Sequence, residues 1–183
     1  MIERVSTRLD GPILLQPAVH RDDRGFFVET FRTDAYRSVG IDAAFVQDNH
    51  SRSARGTLRG LHFQRRPGQP KLIRVARGSI WDVIVDIRTA SDTFGAFEAF
   101  ELDDVVHRQL YVPVGFAHGF CVTSEVADVT YKVGSPYDAD EERGIAWDDP
   151  ELAIPWPIPD PILSDRDQHN PTMREAVAAL RPS

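Results

Sequence analysis

Residues 79–87, SIWDVIVDI, alternate in a way that suits an extended chain. Successive side chains of a strand point to opposite faces. Trp81, Val83, Val85 and Ile87 therefore fall on one face, and Ile80, Asp82, Ile84 and Asp86 on the other. Two carboxylates on one apolar face imply a wet or functional concavity beside them. Similar short runs rich in Val, Ile, Phe and Thr recur between turn residues, among them GPILLQPAV, GFFVETF, KLIRVA, HRQLYVP, HGFCVTS and ADVTYKV. That recurrence predicts an all-β chain whose strands close into one sandwich or barrel.

Helix signals are few. TDAYRSVG at 33–40 predicts a turn or two, with Thr33 as cap and Gly40 as stop, and PTMREAVAAL at 171–180 predicts a C-terminal helix. Both are expected to be peripheral. Between them the segment 150–163 carries five prolines, at 150, 155, 157, 159 and 161, so it reads as an extended strap and not a ladder strand. With 183 residues, 42% of them hydrophobic, the chain is expected to bury a core as a single domain over 1–183.

The net charge of −7 argues against a nucleic-acid partner or an anionic membrane surface. The single Cys121 excludes an internal disulfide and a multi-cysteine zinc site. With no apolar run long enough for a signal or a span, it points to a cytoplasmic location. Cys121 itself reads as a small buried hydrophobe. Positive charge is nevertheless gathered in RGLHFQRRPGQPKLIRV, residues 59–75, around His62. There Arg65, Arg66, Lys71 and Arg74 suggest a site for one small anion. Of 21 basic residues only Lys71 and Lys132 are lysines, which hints that the compact ammonium of Lys71 does something a guanidinium fork cannot.

Four groups are candidates for chemistry. His62 is flanked by Gly56 and Gly60. Strict alternation puts Arg59 and His62 on opposite faces, so both reach one pocket only if the strand bends, and Gly60 is the expected place. Tyr131 shares a face with Val129 and Val133 and reads equally as a core tyrosine. Asp167, in LSDRDQHN, reads alone as a cap or surface carboxylate. Arg24 and Glu29, in RGFFVETF, read alone as an edge-strand ion pair. PVGFAHGF at 113–120 resembles the turn and strand that open the second half of the cupin pattern, where the His is often a metal ligand. A metal cupin would add His-x-His and a later Glu. Here HFQRRPG has Gln64 in place of the second His and no acid follows, so the barrel reads as metal-free.

Taken together, DDRGFFVETF, FVQDNHSRSARGTLRGLHFQ, KLIRV, DVIVDIR with SDTFG, VPVGFAHGF, YKVGSPYDADEERGIAWDDP and ILSDRD, in that order, resemble the dTDP-4-dehydrorhamnose 3,5-epimerase family. The resemblance runs almost end to end. It implies a metal-free, cofactor-free cupin jelly roll with a few short helices, and a homodimer that trades N-terminal strands. It also implies action on dTDP-4-dehydro-6-deoxy-D-glucose to give dTDP-4-dehydro-L-rhamnose. Position by position it implies His62 as base, Tyr131 as acid, Asp167 as the aspartate of a His–Asp dyad and Lys71 as the enolate-stabilising lysine. Substrate-binding positions fall on Arg24, Phe27, Glu29, Gln47, Asp48, Asn49, Arg59, His118, Tyr137, Glu142 and Arg166. Two residues depart from the family's habit: Phe63, where tyrosine is common, and Arg166, where lysine is common.

The implied chemistry explains the local charge. Inverting a carbon beside a ketone needs removal of its proton, charge on the carbonyl oxygen and return of a proton from the other face. Imidazole ordinarily titrates near neutrality and suits the base. A lysine places a point charge at the enolate oxygen. Arginine forks suit the diphosphate, and Phe27 and Tyr137 offer stacking surfaces for thymine. The alternatives are a single-site epimerase of an antibiotic deoxysugar pathway, a non-catalytic sugar-nucleotide-binding cupin, and a metal-dependent cupin isomerase or dioxygenase.

Overall fold

In the computed structural model, which describes residues 2–179, the alternating runs are strands that build two sheets. In chain order the elements are β1 (Ile2–Val5), β2 (Ile13–Pro17), β3 (Val19–Asp22), β4 (Gly25–Val28), α1 (Thr33–Ser38), β5 (Gln47–Ala54), β6 (Leu58–Gln64), β7 (Lys71–Arg77), β8 (Ser79–Asp86), β9 (Phe97–Asp103), β10 (Gln109–Val112), β11 (Phe116–Val122), β12 (Val126–Val133), β13 (Glu142–Gly144), a 3-10 turn (Asp167–His169) and α2 (Met173–Ala178). A six-stranded sheet runs β1-β2-β10-β7-β12-β5, and a five-stranded sheet runs β13-β6-β11-β8-β9. β3 and β4 form a separate antiparallel hairpin. Two antiparallel sheets packed face to face, with neighbours far apart in sequence, make the jelly-roll sandwich expected from the strand pattern.

Alternation sorts each strand between two apolar layers. Ile80 and Ile84 of β8 lie between the sheets with Leu14, Ile73, Leu102, Leu110 and Val129. Val83, Val85 and Ile87 face the other way, against Ile145, Leu152, Ile154, Met173 and Val177. Full burial of each such side chain is worth about 1.5–3 kcal/mol relative to exposure. The proline strap thus covers the outer face of the five-stranded sheet. Its one contact with a strand register is an isolated bridge from Ile162 to Thr57. Cys121 is fully buried, as its composition suggested.

Both helices differ from expectation in the same respect: neither is merely peripheral. α1 buries Tyr36, whose hydroxyl donates to Gln109 Oε1 at 2.8 Å or to the Thr30 carbonyl at 2.7 Å. α2 buries Met173, Ala176 and Val177. Its cap is Thr172, in a reciprocal capping box with Glu175. Position 180 of the expected helix lies outside the described residues. Thr33 is not the cap of α1. The chain is still extended at Arg32 and no side chain caps the first turn, where Asp34 instead pairs with Arg32 at 2.7 Å.

Neither carboxylate of β8 lines the expected concavity, and Asp82 reaches one only through His118, to which it is bonded. Asp86 is 0% exposed and takes hydrogen bonds from Arg88 Nη2 at 2.6 Å and from the Ser91 and Thr93 hydroxyls, each at 2.7 Å. Burial pushes its carboxyl up, but those donors outweigh it and hold the group well below the usual carboxylate range. Asp86 is a dry anchor for the 88–93 turn. Among the described residues no helix is long and apolar enough to cross a membrane.

Candidate active site

β6 pairs with β11 so that His62 lies opposite His118 and Arg59 opposite Phe120, with a register shift between them. Gly60 and Leu61 therefore oppose Gly119 alone, which is a β-bulge. The bulge is where the sequence required a bend, and it lets both Arg59 and His62 reach one cavity. Gly60 has φ +126°, and a Cβ there would stand 2.5 Å from Gly119 Cα and 2.8 Å from the His118 carbonyl oxygen. Only glycine fits.

The cavity, about 290 Å³, opens between the sheets. On the five-stranded wall His62 Nε2 lies 2.5 Å from Asp167 Oδ1. Asp167 is 3% exposed and follows directly on the strap. Its backbone N–H donates to Ser164 Oγ at 3.1 Å, and Asn170 Nδ2 donates to its Oδ1 at 3.3 Å. Burial raises its carboxyl, but His62, Ser164 and the Gly60 backbone N–H together lower it below the ordinary value. A carboxylate so held accepts from Nε2–H, which leaves Nδ1 with the lone pair. The reading of Asp167 as a surface carboxylate is thereby excluded.

Tyr131, on the six-stranded wall, lines the same cavity. Its neighbours on that face, Val129 and Val133, are fully buried, so it is the polar end of a core row and not core itself. Burial first, and then the charge of Glu142, raise its phenol, with Arg59 opposing. It remains a proton donor at neutral pH. Lys71 opens β7 on the face of Ile73 and Val75. It makes no hydrogen bond or ion pair among the described residues. Burial pushes its ammonium down, while Glu142 and Asp82 push back.

Arg59, Asn49 and His118 also line the cavity. At its rim Arg166 pairs with Glu142, and the Tyr137 hydroxyl bonds to Glu142 as well, which raises that phenol. Gln47 accepts from the Tyr137 backbone N–H at 3.2 Å and donates to Asn49 Oδ1 at 2.9 Å. Phe63, one of the two departures, is buried in the layer under the strap and is remote in character from the cavity lining.

Other expected positions lie elsewhere. Asp48 alternates with Asn49 and points to the outer face of the sheet, where Lys132 Nζ lies 2.9 Å away. Arg24, Phe27 and Glu29 do not line this chain's cavity. Arg24 pairs with Asp22 and Glu29 with Arg32, and Phe27, at the hairpin, is 71% exposed. The small-anion cluster also needs correction. Arg65 is engaged by Glu141 at 2.9 Å and Arg74 shares the outer face with Leu72, so Arg59 and Arg166 join Lys71 as the cavity's cations instead.

One residue of consequence was given no role at the site. Asp82, 0% exposed, places Oδ2 2.9 Å from His118 Nε2. Its signal was the carboxylate on the apolar face of β8. Among the described residues, no group of three or more His, Cys, Asp or Glu side chains is arranged to hold a metal ion.

Residues 6–175 match the family model described as dTDP-4-dehydrorhamnose 3,5-epimerase. A Pseudomonas aeruginosa protein of that description is 47% identical over 175 residues, covering 93% of this chain and 97% of its own. One from Methanothermobacter thermautotrophicus is 45% identical over 174 residues, covering 93% and 94%. The solved structure of a Legionella pneumophila dTDP-6-deoxy-D-glucose-3,5-epimerase in complex with dTDP-4-keto-L-rhamnose superposes with a TM-score of 0.95 at 41% identity, covering 100% of this chain and 98% of that one.

Proposed function

The chain belongs to the dTDP-4-dehydrorhamnose 3,5-epimerase family, a family of isomerases, and from that premise we propose that it inverts C3 and C5 of dTDP-4-dehydro-6-deoxy-D-glucose, giving dTDP-4-dehydro-L-rhamnose. The observation that carries the reading is the His62–Asp167 pair on one wall of the cavity, with Tyr131 on the other and Lys71 in the same space.

In each inversion His62 Nδ1 takes the proton from the carbon beside the C4 ketone. The C–H electron pair moves into the ring and onto O4 as an enolate. The Lys71 ammonium stabilises that oxygen as a fixed charge at the cavity wall. The Tyr131 phenol returns a proton to the opposite face of the carbon as the electrons come back from O4, and before the next inversion the imidazolium releases its proton to solvent and the phenolate takes one up. No net oxidation or reduction occurs, so the step requires no redox cofactor, and the Lys71 ammonium is the electrophile at O4. Asp167 fixes the tautomer and orientation of His62. Arg59 and Arg166 supply forked donors for the diphosphate.

The protein acts in the cytoplasm, as one domain and as a homodimer that trades N-terminal strands. The support for the dimer is the set of binding positions that this chain's own cavity leaves out. Arg24, Phe27 and Glu29 all belong to or directly follow the hairpin, and they serve the neighbouring subunit's cavity. Phe27's exposed ring then becomes a stacking surface for thymine.

Incubation with dTDP-4-dehydro-6-deoxy-D-glucose in deuterated water, followed by NMR, tests the reading. Deuterium is expected at both C3 and C5. Exchange at one carbon alone identifies a single-site epimerase, and exchange at neither overturns the reaction. His62→Asn abolishes exchange and leaves dTDP affinity within about threefold, since the base touches the sugar and not the nucleotide.

A further inference from the structure

Asp82 is a buried ionisable group one hydrogen bond behind this cavity's wall, and the reaction above does not use it. It sits on β8 beside His118 of β11, and its two oxygens are treated differently. Oδ2 is bonded to His118 Nε2 at 2.9 Å, whereas Oδ1 is buried with no hydrogen-bond partner. A buried carboxylate with an orphan oxygen weakens a fold. The packing of β8 does not require it, because Ile80 and Ile84 fill the same face with hydrocarbon.

Lys71 is the matching anomaly, a cation of the cavity on the inner face of β7, as Asp82 is on the inner face of β8, with no partner among the described residues. The charged and titratable groups around it come from several elements. Glu142 of β13 is already engaged by Arg166 and Tyr137. Asp167 is engaged by His62, while Arg59 and Tyr131 bring no negative charge. That leaves Asp82, through Oδ1, as the carboxylate with unspent charge. We propose that Asp82 is a positioning residue for the epimerisation: it holds His118 at the cavity wall and supplies the negative charge against which Lys71 keeps its proton beside the ketone oxygen. The two groups act on each other in the expected sense, with Asp82 supporting the ammonium against burial and Lys71 drawing the buried carboxyl down. The inference rests on the epimerase reading and refines it.

Asp82→Asn keeps the shape and an acceptor for His118 while removing the charge. Loss of a neighbouring negative charge makes an amine give up its proton at lower pH. The alkaline limb of kcat therefore moves to lower pH, with a loss of about tenfold on the alkaline side against less than about threefold near neutrality, and dTDP affinity unchanged. Lysine labelled with 15N reads the cause directly, because Lys71 and Lys132 are the only two lysines. Lys132, bonded to Asp48 on the outer face, is the internal reference. The Lys71 signal is expected to titrate at lower pH in Asp82→Asn. A kcat lowered equally at every pH, or an unmoved Lys71 titration, overturns the proposal as a merely structural effect. Should the variant not fold, the wild type decides: Lys71 must be charged across the activity plateau and lose its proton along the alkaline limb, and a neutral Lys71 on the plateau overturns the assignment. A wild type that exchanges no deuterium refutes the epimerase reading instead, and the lysine titration still reports the coupling.

Discussion

Two histidine–aspartate pairs share one cavity and are assembled in different ways. His62–Asp167 joins the bulged strand β6 to a turn 105 residues later, whereas His118–Asp82 joins adjacent strands 36 residues apart. The His62 side chain is 24% exposed and the His118 side chain 9%. Asp167 gathers enough donors to sit below its ordinary value, while Asp82 has one bonded oxygen and is pushed up by burial. The saturated carboxylate orients its histidine and presents little free charge. The unsaturated one is costly to bury and keeps charge available to the cavity. The chemistry of each pair thus follows from how many donors reach the aspartate.

The comparison breaks most sharply at Asp167. Asp167→Asn presents an amide where Nε2–H needs an ionic acceptor, so His62 loses the tautomer that leaves Nδ1 free. The expected fall in kcat is up to about ten-thousandfold, by analogy with the same change behind a catalytic histidine in serine proteases. Binding of dTDP, measured by calorimetry, should stay within about threefold, because Asp167 does not touch the nucleotide. A fall in kcat of less than about tenfold would show that donor saturation does not orient the base.

Much of this architecture was legible in local sequence. The faces of β8 could be sorted from SIWDVIVDI alone, and the clash between alternation and a shared pocket located the bulge at Gly60. What could not be read depends on long-range register. Asp82 stood out as a carboxylate on an apolar face, but its partner was hidden because Phe120, not His118, lies directly opposite it across the ladder. Gln47, Asp48 and Asn49 are consecutive on β5, so a position-by-position likeness named all three although a strand can turn only alternate ones inward. The same likeness named Arg24, Phe27 and Glu29 without saying to which copy's cavity they belong. Thr33 was misread because the first helical residue and the cap differ by one position, and that depends on the backbone angles of Arg32.

Asp86 sharpens the contrast, since it lies on the same face of the same strand as Asp82 and is saturated like Asp167. Asp86→Asn should lower stability by about 2–3 kcal/mol in urea unfolding, because it breaks a buried, multiply bonded ion pair with Arg88. Its carboxyl lies below the ordinary value, so the contribution is fully present above the unfolded value of 3.8 and is lost as pH falls through the folded one. The difference between wild type and variant should therefore shrink in acid. Activity at a permissive temperature should be unchanged, because the 88–93 turn lines no part of the cavity.

Asp82 carries the opposite sign, and with it the smallest predicted effect. A group whose pKa is raised by folding adds stability below its unfolded value of 3.8, and that stability is lost as pH rises through the folded value. Once pH has risen through that folded value, the ionised carboxylate is a burden on the fold, which Asp82→Asn removes. The variant should melt about 2 °C above wild type near neutrality and lose that advantage in acid, as calorimetry can follow. Asp167→Asn should melt lower than wild type under the same neutral conditions. A substitution that firms the fold and weakens the reaction marks a charge retained for function. Were Asp82→Asn instead to melt lower at neutral pH, the attraction of His118 and Lys71 would outweigh burial, and the two pairs would share one electrostatic design.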